Sequence, residues 1–257
     1  MMTAMHDTFP MPLAHLLYTQ GFGTRRICAG LIQQGLVQIN GQTVTNAQQE
    51  VDAYDGVPFI VQNQPWQYYA QAYLMLHKPA GTECSQKPSA WPSVYTLLPA
   101  PLRQRPQKGA VQGVQAIGRL DQDTTGLLIL TDDGQLIHRM ASPKHHVPKV
   151  YQVQCLHPVT PQQVNDLQGD IRLDNDPKPV RAVSCMQTGS HALELTLTEG
   201  RYHQVKRMLA AVGNQVVQLH RSRIGALALP PDLPAGGWRW LRPHELTLLQ
   251  EKALPTA

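Results

Sequence analysis

One acidic residue, Asp121, lies in a short polar segment between two apolar runs and is the residue of this sequence best placed for chemistry. The run QAI at 115–117 is typical of the end of a strand, and LLIL at 127–130 is typical of a short buried strand. A turn between these strands is expected to present Arg119, Asp121 and Thr124 together. A carboxylate held in this way can act as a nucleophile or as a base, although an Asp in a turn is most often solvated or stabilises the turn itself.

Four segments of the chain carry a pattern that extends beyond this turn. They are LMLHKPAG at 74–81, GRLDQDTTGLL at 118–128, KVY at 149–151 and EGRYHQVKRM at 199–208. In this order they resemble the motifs of RNA pseudouridine synthases, in the branch that modifies ribosomal RNA and carries a small N-terminal alpha-L RNA-binding domain. The resemblance implies that the chain isomerises uridine to pseudouridine in ribosomal RNA without a cofactor. It also implies no metal ion.

The same resemblance assigns roles to individual residues. It makes Asp121 the carboxylate that acts near the sugar, and Tyr151 the tyrosine that packs against the target base; a half-buried sheet tyrosine is the alternative for Tyr151. Lys206 takes the place of the basic partner of Asp121, where many relatives have Arg, and Arg207 beside it is the alternative partner. Lysine is a point charge rather than a bidentate fork. Arg119 matches the arginine that enters where the flipped uridine leaves the RNA.

The wording of the motifs favours the small-subunit branch, which modifies one uridine of 16S rRNA. A synthase acting on 23S rRNA is the alternative within the class, because substrate choice depends on RNA shape. Hypotheses from other classes are a non-catalytic RNA-binding assembly factor and a general RNA chaperone. The presence of Asp121 disfavours the assembly factor, since loss of this residue would have indicated it.

Basic residues occur in short blocks, although a net charge of +4 alone does not establish nucleic-acid binding. The blocks lie at 25–26, 103–108, 139–149, 201–207 and 220–223. From them we assign contacts with RNA phosphates to five residues, because such contacts hold RNA without reading its sequence: Arg25, Arg26, Lys149, Arg201 and Arg207. Residues 103–113 form an extension that either contacts RNA or is a tolerated surface insertion.

Two groups of residues resemble metal sites but lack the required spacing. One is the cluster His138, Arg139, Lys144, His145 and His146, in which adjacent histidines point apart. We interpret this cluster as an RNA contact. The other group is the four cysteines, which are far apart, so that neither a zinc site nor a disulfide framework is predicted.

The N-terminal part predicts one compact unit. Leu13, Leu16 and Leu17 have helical spacing after a loose lead-in, and Thr24 caps a second helix in which Ile27 and Leu31 face one way and which Gly35 ends. A hairpin follows, with strand 37–39 and an Asn-Gly turn at 40–41. We therefore assign residues 1–62 to an RNA-binding domain, 63–70 to a linker and 71–257 to the catalytic domain.

The larger domain is dominated by strands, with helices between some of them. Strands are predicted at 74–77, 114–117, 127–131, 150–156, 193–198 and 216–220, and helices at 135–141, 160–167 and 202–212. This pattern indicates the α+β class. The resemblance implies a mixed antiparallel sheet with flanking helices.

Composition limits the remaining possibilities. The chain has 257 residues, 42% of them hydrophobic and 16% charged, which is enough for one substantial core and a small second domain. No apolar run approaches the roughly 18 residues that a membrane span needs, and the N-terminus does not resemble a signal peptide. We therefore expect a cytoplasmic monomer with no membrane partner.

Overall fold

The computed structural model describes residues 9–106, 113–141 and 146–251, and these form two compact units. The first unit comprises the described residues of Met1–Ala72, Leu98–Gln115 and Thr131–Asp133. The second unit comprises the described residues of Tyr73–Leu97, Ala116–Leu130 and Gly134–Ala257. The first unit thus extends ten residues past the boundary predicted at residue 62 and includes two later segments of the chain.

Short helices and antiparallel strands make up the first unit. In chain order they are β1 (Phe9–Pro12), α1 (Leu13–Thr19), α2 (Arg25–Gln33), β2 (Val37–Ile39), β3 (Gln42–Val44), β4 (Glu50–Ala53), β5 (Pro58–Val61), β6 (Gln64–Gln67) and α3 (Ala100–Arg103). Four strands form a sheet in the order β3-β2-β5-β6, and β1 pairs with β4. The predicted helices and hairpin are confirmed, since Thr24 caps α2 by accepting the Ile27 N–H, and Asn40 and Gly41 both have positive φ.

The inner face of α2 is formed by Cys28 and Ile32, each one position after a residue that was predicted to face one way. Cys28 and Ile32 are fully buried, whereas Ile27 is 53% exposed. Ile27 instead lies over Gly23 in the turn before the helix, where a Cβ on Gly23 would come within 2.9 Å of the Ile27 side chain. Leu31, on the same side of α2 as Ile27, is partly buried and packs against the core of this unit.

Two segments predicted to lack structure are strands. The residues before Leu13 include β1, whose two prolines lie in a strand with only one pairing partner, β4. The predicted linker at 63–70 includes β6, because Gln62 and Asn63 adopt positive φ and turn the chain back onto β5. Pro65 is tolerated because β6 is the edge strand of its sheet.

A buried arginine organises the first unit. Arg105 is 1% exposed and donates from Nε to Asp132 at 2.5 Å, from Nη1 to the Gln20 side chain at 2.8 Å, and from Nη2 to the carbonyls of Tyr69 and Ala70 at 2.8 and 3.1 Å. Arg105 therefore is not an RNA contact of the 103–113 extension; it joins segments that are distant in sequence. Residues 107–112 of that extension, including Lys108, lie outside the described residues.

The second unit is a mixed sheet with flanking helices, as predicted for an α+β protein. Its elements are β7 (Tyr73–Lys78), a 3-10 helix (Val94–Leu97), β8 (Gln115–Ala116), β9 (Thr125–Thr131), α4 (Gly134–Ala141), β10 (Lys149–Cys155), α5 (Pro161–Gln168), β11 (Ser184–Gly189), β12 (Ala192–Leu197), α6 (Gln204–Ala211), β13 (Val216–Ile224), β14 (Leu227–Ala228), β15 (Trp238–Trp240) and α7 (Pro243–Gln250). The main sheet has the order β11-β12-β10-β13-β9-β7-β15. Strands β13 and β9 pair in parallel, and β10 pairs antiparallel with both of its neighbours.

Strand β9 is central to this sheet and follows directly from the turn that carries Asp121. Its residues Leu127–Leu130 are all fully buried, which explains the continuous apolar run, because a strand covered on both faces has no polar alternation. Gly126 has φ +110°, and a Cβ there would lie 2.3 Å from the Arg221 carbonyl oxygen of β13. Glycine at this position therefore permits the close pairing that fixes the start of β9.

Candidate active site

A cavity of about 810 Å³ lies in the second unit and contains the turn predicted to do chemistry. Three segments and one strand residue line most of it: residues 118–124, residues 199–206, Glu83 with its neighbours, and Tyr151. The structure thus brings three of the four sequence motifs to one place. The volume is in the range of small-molecule and nucleotide sites.

Asp121 lies in this cavity with a basic partner on each side. Its Oδ2 is 3.1 Å from Lys206 Nζ, its Oδ1 is 3.5 Å from His203 Nε2, and its side chain is 29% exposed. The turn is closed by the Thr124 N–H, which donates to the Asp121 carbonyl. The structure therefore places Lys206, rather than Arg207, beside Asp121.

Lys206 is shared between two carboxylates. Its Nζ lies 2.6 Å from Asp123 Oδ1, closer than to Asp121. Burial lowers the pKa of Lys206, but the hydrogen bonds with Asp123 and Asp121 outweigh it and raise the pKa above its ordinary value. Burial also raises the pKa of Asp123, but the hydrogen bond and charge of Lys206 bring it below the ordinary range. Lys206 therefore stays charged in the site.

A fully buried lysine stabilises the turn that carries Asp121. Lys78 Nζ donates to the carbonyls of Thr124, Pro79 and Gln122 at 2.9, 3.1 and 3.3 Å. Burial lowers its pKa, which the nearby acidic groups partly oppose. All three ammonium hydrogens are used, so Lys78 fixes the backbone on both sides of Asp123.

Tyr151 is the sheet residue of the cavity. It lies on β10, opposite Leu195 of β12 and Arg221 of β13, and it is buried while still lining the cavity. Its position fits both the predicted contact with a base and packing in the sheet.

The N-terminus of α6 contributes a residue that sequence reasoning missed. His203 caps this helix with φ +48°, in the left-handed region that non-glycine residues rarely adopt. Its ring stacks on Tyr202, with ring centres 3.9 Å apart. The motif at 199–208 contains His203, so the signal was present but its contact with Asp121 was not deducible from spacing.

Glu83 also lines the cavity, although it had no recognisable signal in the sequence. Its carboxylate accepts the backbone N–H groups of Ala90, Ser89 and Trp91, which lower its pKa to about 2. The carboxylate thus holds the loop that follows it in one conformation.

The predicted RNA-binding residues fall into two groups in the second unit. Arg119 is exposed and lines the cavity. Arg201 and Arg207 are paired within the chain, at 3.3 and 2.7 Å from the Asp176 carboxylate, and Arg207 also donates to the Asp174 carbonyl. These two arginines hold the loop around Asp176 whether or not they contact RNA.

Lys149, which was predicted to bind RNA, lies in the main sheet. It is half-buried on β10, between Leu197 and Ile224 of the neighbouring strands. Burial, and then the charge of Arg221, lower its pKa to about 8. The sequence block 139–149 suggested a basic surface, but Lys149 is partly buried in a strand with neighbours on both sides.

The basic residues predicted at 25–26 and 138–139 are exposed, whereas Arg221 of the block 220–223 is buried and donates from Nε to the Leu127 carbonyl at 2.9 Å. In the first unit, Arg25 and Arg26 are exposed at the N-terminus of α2, and Arg25 lies 4.8 Å from the centre of the Tyr18 ring. In the second, His138 and Arg139 are exposed on α4. Lys144 and His145 lie outside the described residues, and in the described ranges no three His, Cys, Asp or Glu side chains are grouped to hold a metal ion.

Two further findings concern the described part of the chain. All four cysteines are free. None of the helices within 9–106, 113–141 and 146–251 is long and apolar enough to cross a membrane.

Comparison with known proteins identifies the class. Residues 72–211 match the RNA pseudouridylate synthase family, and residues 11–57 match the S4 domain. The chain belongs to the RNA pseudouridylate synthase family and carries an N-terminal S4 domain, and both matches indicate that it binds RNA.

Individual relatives are similar over nearly the whole chain. The chain is 38% identical to the uncharacterized RNA pseudouridine synthase YtzG of Bacillus subtilis, over 94% of this chain and 99% of that protein. It is 39% identical to ribosomal small subunit pseudouridine synthase A of Escherichia coli, over 88% of this chain and 95% of that protein. A solved structure described as a pseudouridylate synthase matches with a TM-score of 0.65 at 34% identity, over 93% of this chain and 99% of its own.

Proposed function

We propose that this protein isomerises one uridine of small-subunit ribosomal RNA to pseudouridine, with Asp121 as the catalytic carboxylate. The observation that carries the proposal is the position of Asp121 in an open cavity, 3.1 Å from the ammonium group of Lys206. The substrate is supported by relatives named ribosomal small subunit pseudouridine synthase A, at 37–39% identity.

The reaction breaks the bond between N1 of uracil and C1′ of the ribose, rotates the base and joins its C5 to C1′. A carboxylate can promote this step as a nucleophile at C1′ or as a base that removes the neighbouring ribose proton. In the described ranges, Lys206 and His203 are the two side chains that pair with the Asp121 carboxylate. The carboxylate is therefore available for either role.

Lys206 keeps Asp121 ionised when a base covers the cavity. Covering a carboxylate removes water and favours its protonated form, and a neighbouring cation opposes that change. Because Lys206 has a raised pKa, it remains protonated near neutral pH and supplies this charge. Asp123 holds the ammonium group in place at 2.6 Å.

Tyr151 packs against the uracil ring and takes part in removing the proton from C5. The target must leave the RNA stack to reach these groups, which costs a few kcal/mol. Arg119, exposed at the cavity, fills the space that the uridine leaves. Arg25 and Arg26 hold phosphates, so that affinity falls steeply with salt. Arg201, Arg207 and Lys149 contribute positive charge nearby rather than free phosphate contacts.

The reaction takes place where ribosomal RNA is made and assembled, so we place the protein in the cytoplasm, as a monomer. The location follows from the proposed substrate, whereas the monomeric state is a separate expectation.

The test is incubation of purified protein with under-modified 16S rRNA, beside the variant Asp121→Asn, followed by carbodiimide labelling and primer extension. One stop with the wild type that is absent with the variant would establish a site-specific synthase that uses Asp121. A stop only on 23S rRNA would keep the chemistry and overturn the substrate. No stop on either RNA, with binding retained, would favour a non-catalytic assembly factor.

A further inference from the structure

We infer that Tyr202 is a stacking site for the RNA base next to the target uridine. The inference rests on the proposed function, because it adds a second nucleotide position to the site of Asp121. Among the large apolar and aromatic side chains that are exposed in the described ranges, Tyr202 has the highest exposure, at 75%. It also lines the cavity.

The Tyr202 ring has one face covered and the other free. His203 stacks on it with an angle of 18° between the ring planes and 3.9 Å between the ring centres. A planar group covered on one side, yet three-quarters exposed as a residue, leaves its second face open to solvent. An aromatic face of this kind binds nucleobases of any identity, since every base has a π-face.

The backbone that carries Tyr202 is held in place on both sides. Its carbonyl accepts a hydrogen bond from Arg207 Nη1 at 3.2 Å, and Arg207 is itself bound to Asp176. The preceding residue, Arg201, donates its N–H to the Gln204 side chain at 2.8 Å. The ring is therefore presented by a fixed turn, which reduces the entropy lost when a base stacks on it.

The position of Tyr202 relative to the catalytic carboxylate determines which base stacks on its ring. His203 separates the two groups, because its ring stacks on Tyr202 and its Nε2 lies 3.5 Å from Asp121. The uridine that reacts must lie against Asp121 and Tyr151, on the inner side of His203. The outer face of Tyr202 is then left for a neighbouring base, which loses its own stacking partner when the uridine is extruded.

Arg119 and Tyr202 thus have different tasks at the cavity. Arg119 fills the gap left by the uridine and brings a positive charge close to the RNA backbone, whereas Tyr202 offers stacking without a formal charge. Phosphate contacts release counterions and make binding depend on salt. Stacking on an uncharged ring adds affinity that is the same at each salt concentration.

The test uses the full chain in the Asp121→Asn background, so that binding is measured without turnover. The probe is a single-stranded oligouridylate in which one position is 2-aminopurine, flanked by uridine on both sides. The fluorescence of 2-aminopurine falls when this base stacks. Adding Tyr202→Ala is expected to abolish the fluorescence change and to weaken binding about tenfold. Tyr202→Phe keeps the ring and should bind like the parent. Met186→Ala removes an exposed apolar side chain that does not line the cavity and should also have no effect.

Salt dependence separates stacking from charge. The slope of log affinity against log salt should be unchanged in Tyr202→Ala and should decrease in Arg119→Ala. The inference is overturned if Tyr202→Ala, with a thermal melting curve like that of its parent, keeps both the fluorescence change and the affinity. It is also overturned if Tyr202→Phe loses as much as Tyr202→Ala.

Failure of the proposed function gives a different result. In that case the wild type would form no pseudouridine in 16S or 23S rRNA, while the Tyr202-dependent fluorescence change could still be present. A wild type that forms pseudouridine, together with a Tyr202→Ala variant that binds the probe unchanged, would reject the inference alone.

Discussion

One aspartate precedes strand β9 and a second aspartate follows it, and each is paired with a basic residue. The two pairs differ in their exposure and in their hydrogen bonds. Before the strand, Asp121 lies 3.1 Å from Lys206, and both side chains are more than a quarter exposed. After it, Asp132 accepts from Arg105 at 2.5 Å, and only 1% of the Arg105 side chain and 9% of the Asp132 side chain are exposed. In the Arg105 pair every guanidinium nitrogen has an acceptor, and the second Asp132 oxygen accepts the Ala72 N–H.

This difference in exposure indicates which of the two pairs can take part in a reaction. A buried pair with all its hydrogen bonds made is a fixed part of the fold, because removing either member leaves an uncompensated charge. The Asp121 pair is open to the cavity, and Lys206 divides its charge between two carboxylates. It can exchange water for a substrate without loss of the fold.

Breaking the buried pair should give the largest effect. Arg105→Met leaves Asp132 buried without its cation, and we expect the free energy of unfolding in urea to fall by about 3–5 kcal/mol. The double variant Arg105→Met/Asp132→Leu removes both charges and should recover most of this loss. A single variant as stable as the wild type would show that this pair does not stabilise the unit.

Breaking the open pair should instead affect the reaction. Lys206→Met removes the main charge beside Asp121, and the rate of pseudouridine formation in a single turnover should fall about a hundredfold. The free energy of unfolding should change by less than about 1 kcal/mol, since the pair is partly exposed. Lys206→Arg keeps the charge and serves as the control. Equal loss of rate in both variants would argue for a role of Lys206 other than charge.

Lys149 provides a third case, beside the two ion pairs, because it is a half-buried cation for which the described ion pairs include no carboxylate partner. Its pKa falls from an ordinary 10.5 to about 8 in the fold, so the ammonium form opposes folding, fully below pH 8 and progressively less up to 10.5. Lys149→Met should therefore be more stable than the wild type by about 1–2 kcal/mol at neutral pH, and this gain should shrink from pH 8 to 10.5. Urea unfolding across that range checks it.

The exposed Lys87→Met provides the control for Lys149, because it removes the same charge from a solvated loop. It should leave stability unchanged at every pH. If Lys149→Met is instead neutral for stability and lowers the salt dependence of RNA binding, Lys149 is the phosphate contact that its sequence block suggested.

The smallest effect is expected at Asp123, the second carboxylate on Lys206. Asp123→Asn removes one negative charge at the cavity, so the affinity for RNA should rise about threefold at low salt and return to the wild-type value at high salt. Asp166→Asn removes an exposed charge on α5, away from the cavity lining, and should change affinity less. A loss of affinity in Asp123→Asn would mean that Asp123 itself contacts the substrate.

Local signals in the sequence predicted much of the fold. The Thr24 cap, the helix predicted at 160–167, the Asn40-Gly41 turn and the apolar run of β9 each depend on a few adjacent residues, and each is confirmed. The strand β6 was missed because positive φ at Gln62 and Asn63 makes a hairpin from residues that resemble a linker. Such a turn is decided by pairing with β5, which local composition does not report.

The candidate site was predictable where a motif specified it and not where distant segments meet. Lys206 was placed beside Asp121 by its motif, and the structure places it there. The link between Arg105 and Asp132 spans 27 positions, and the pairing of Arg201 and Arg207 with Asp176 joins α6 and the turn before it to a separate loop. Clusters of basic residues could not distinguish free arginines from paired ones, because their partners are set by tertiary folding.

The most direct test compares Asp121→Asn with Asp132→Asn on rRNA labelled with tritium at C5 of uridine, the position that loses its proton in the reaction. Each variant is measured in a single turnover, below its own melting temperature. The account predicts that Asp121→Asn melts like the wild type and releases no tritium, while Asp132→Asn melts earlier and releases tritium at the wild-type rate. Release by Asp121→Asn at a rate near that of the wild type would contradict the assignment of the catalytic carboxylate.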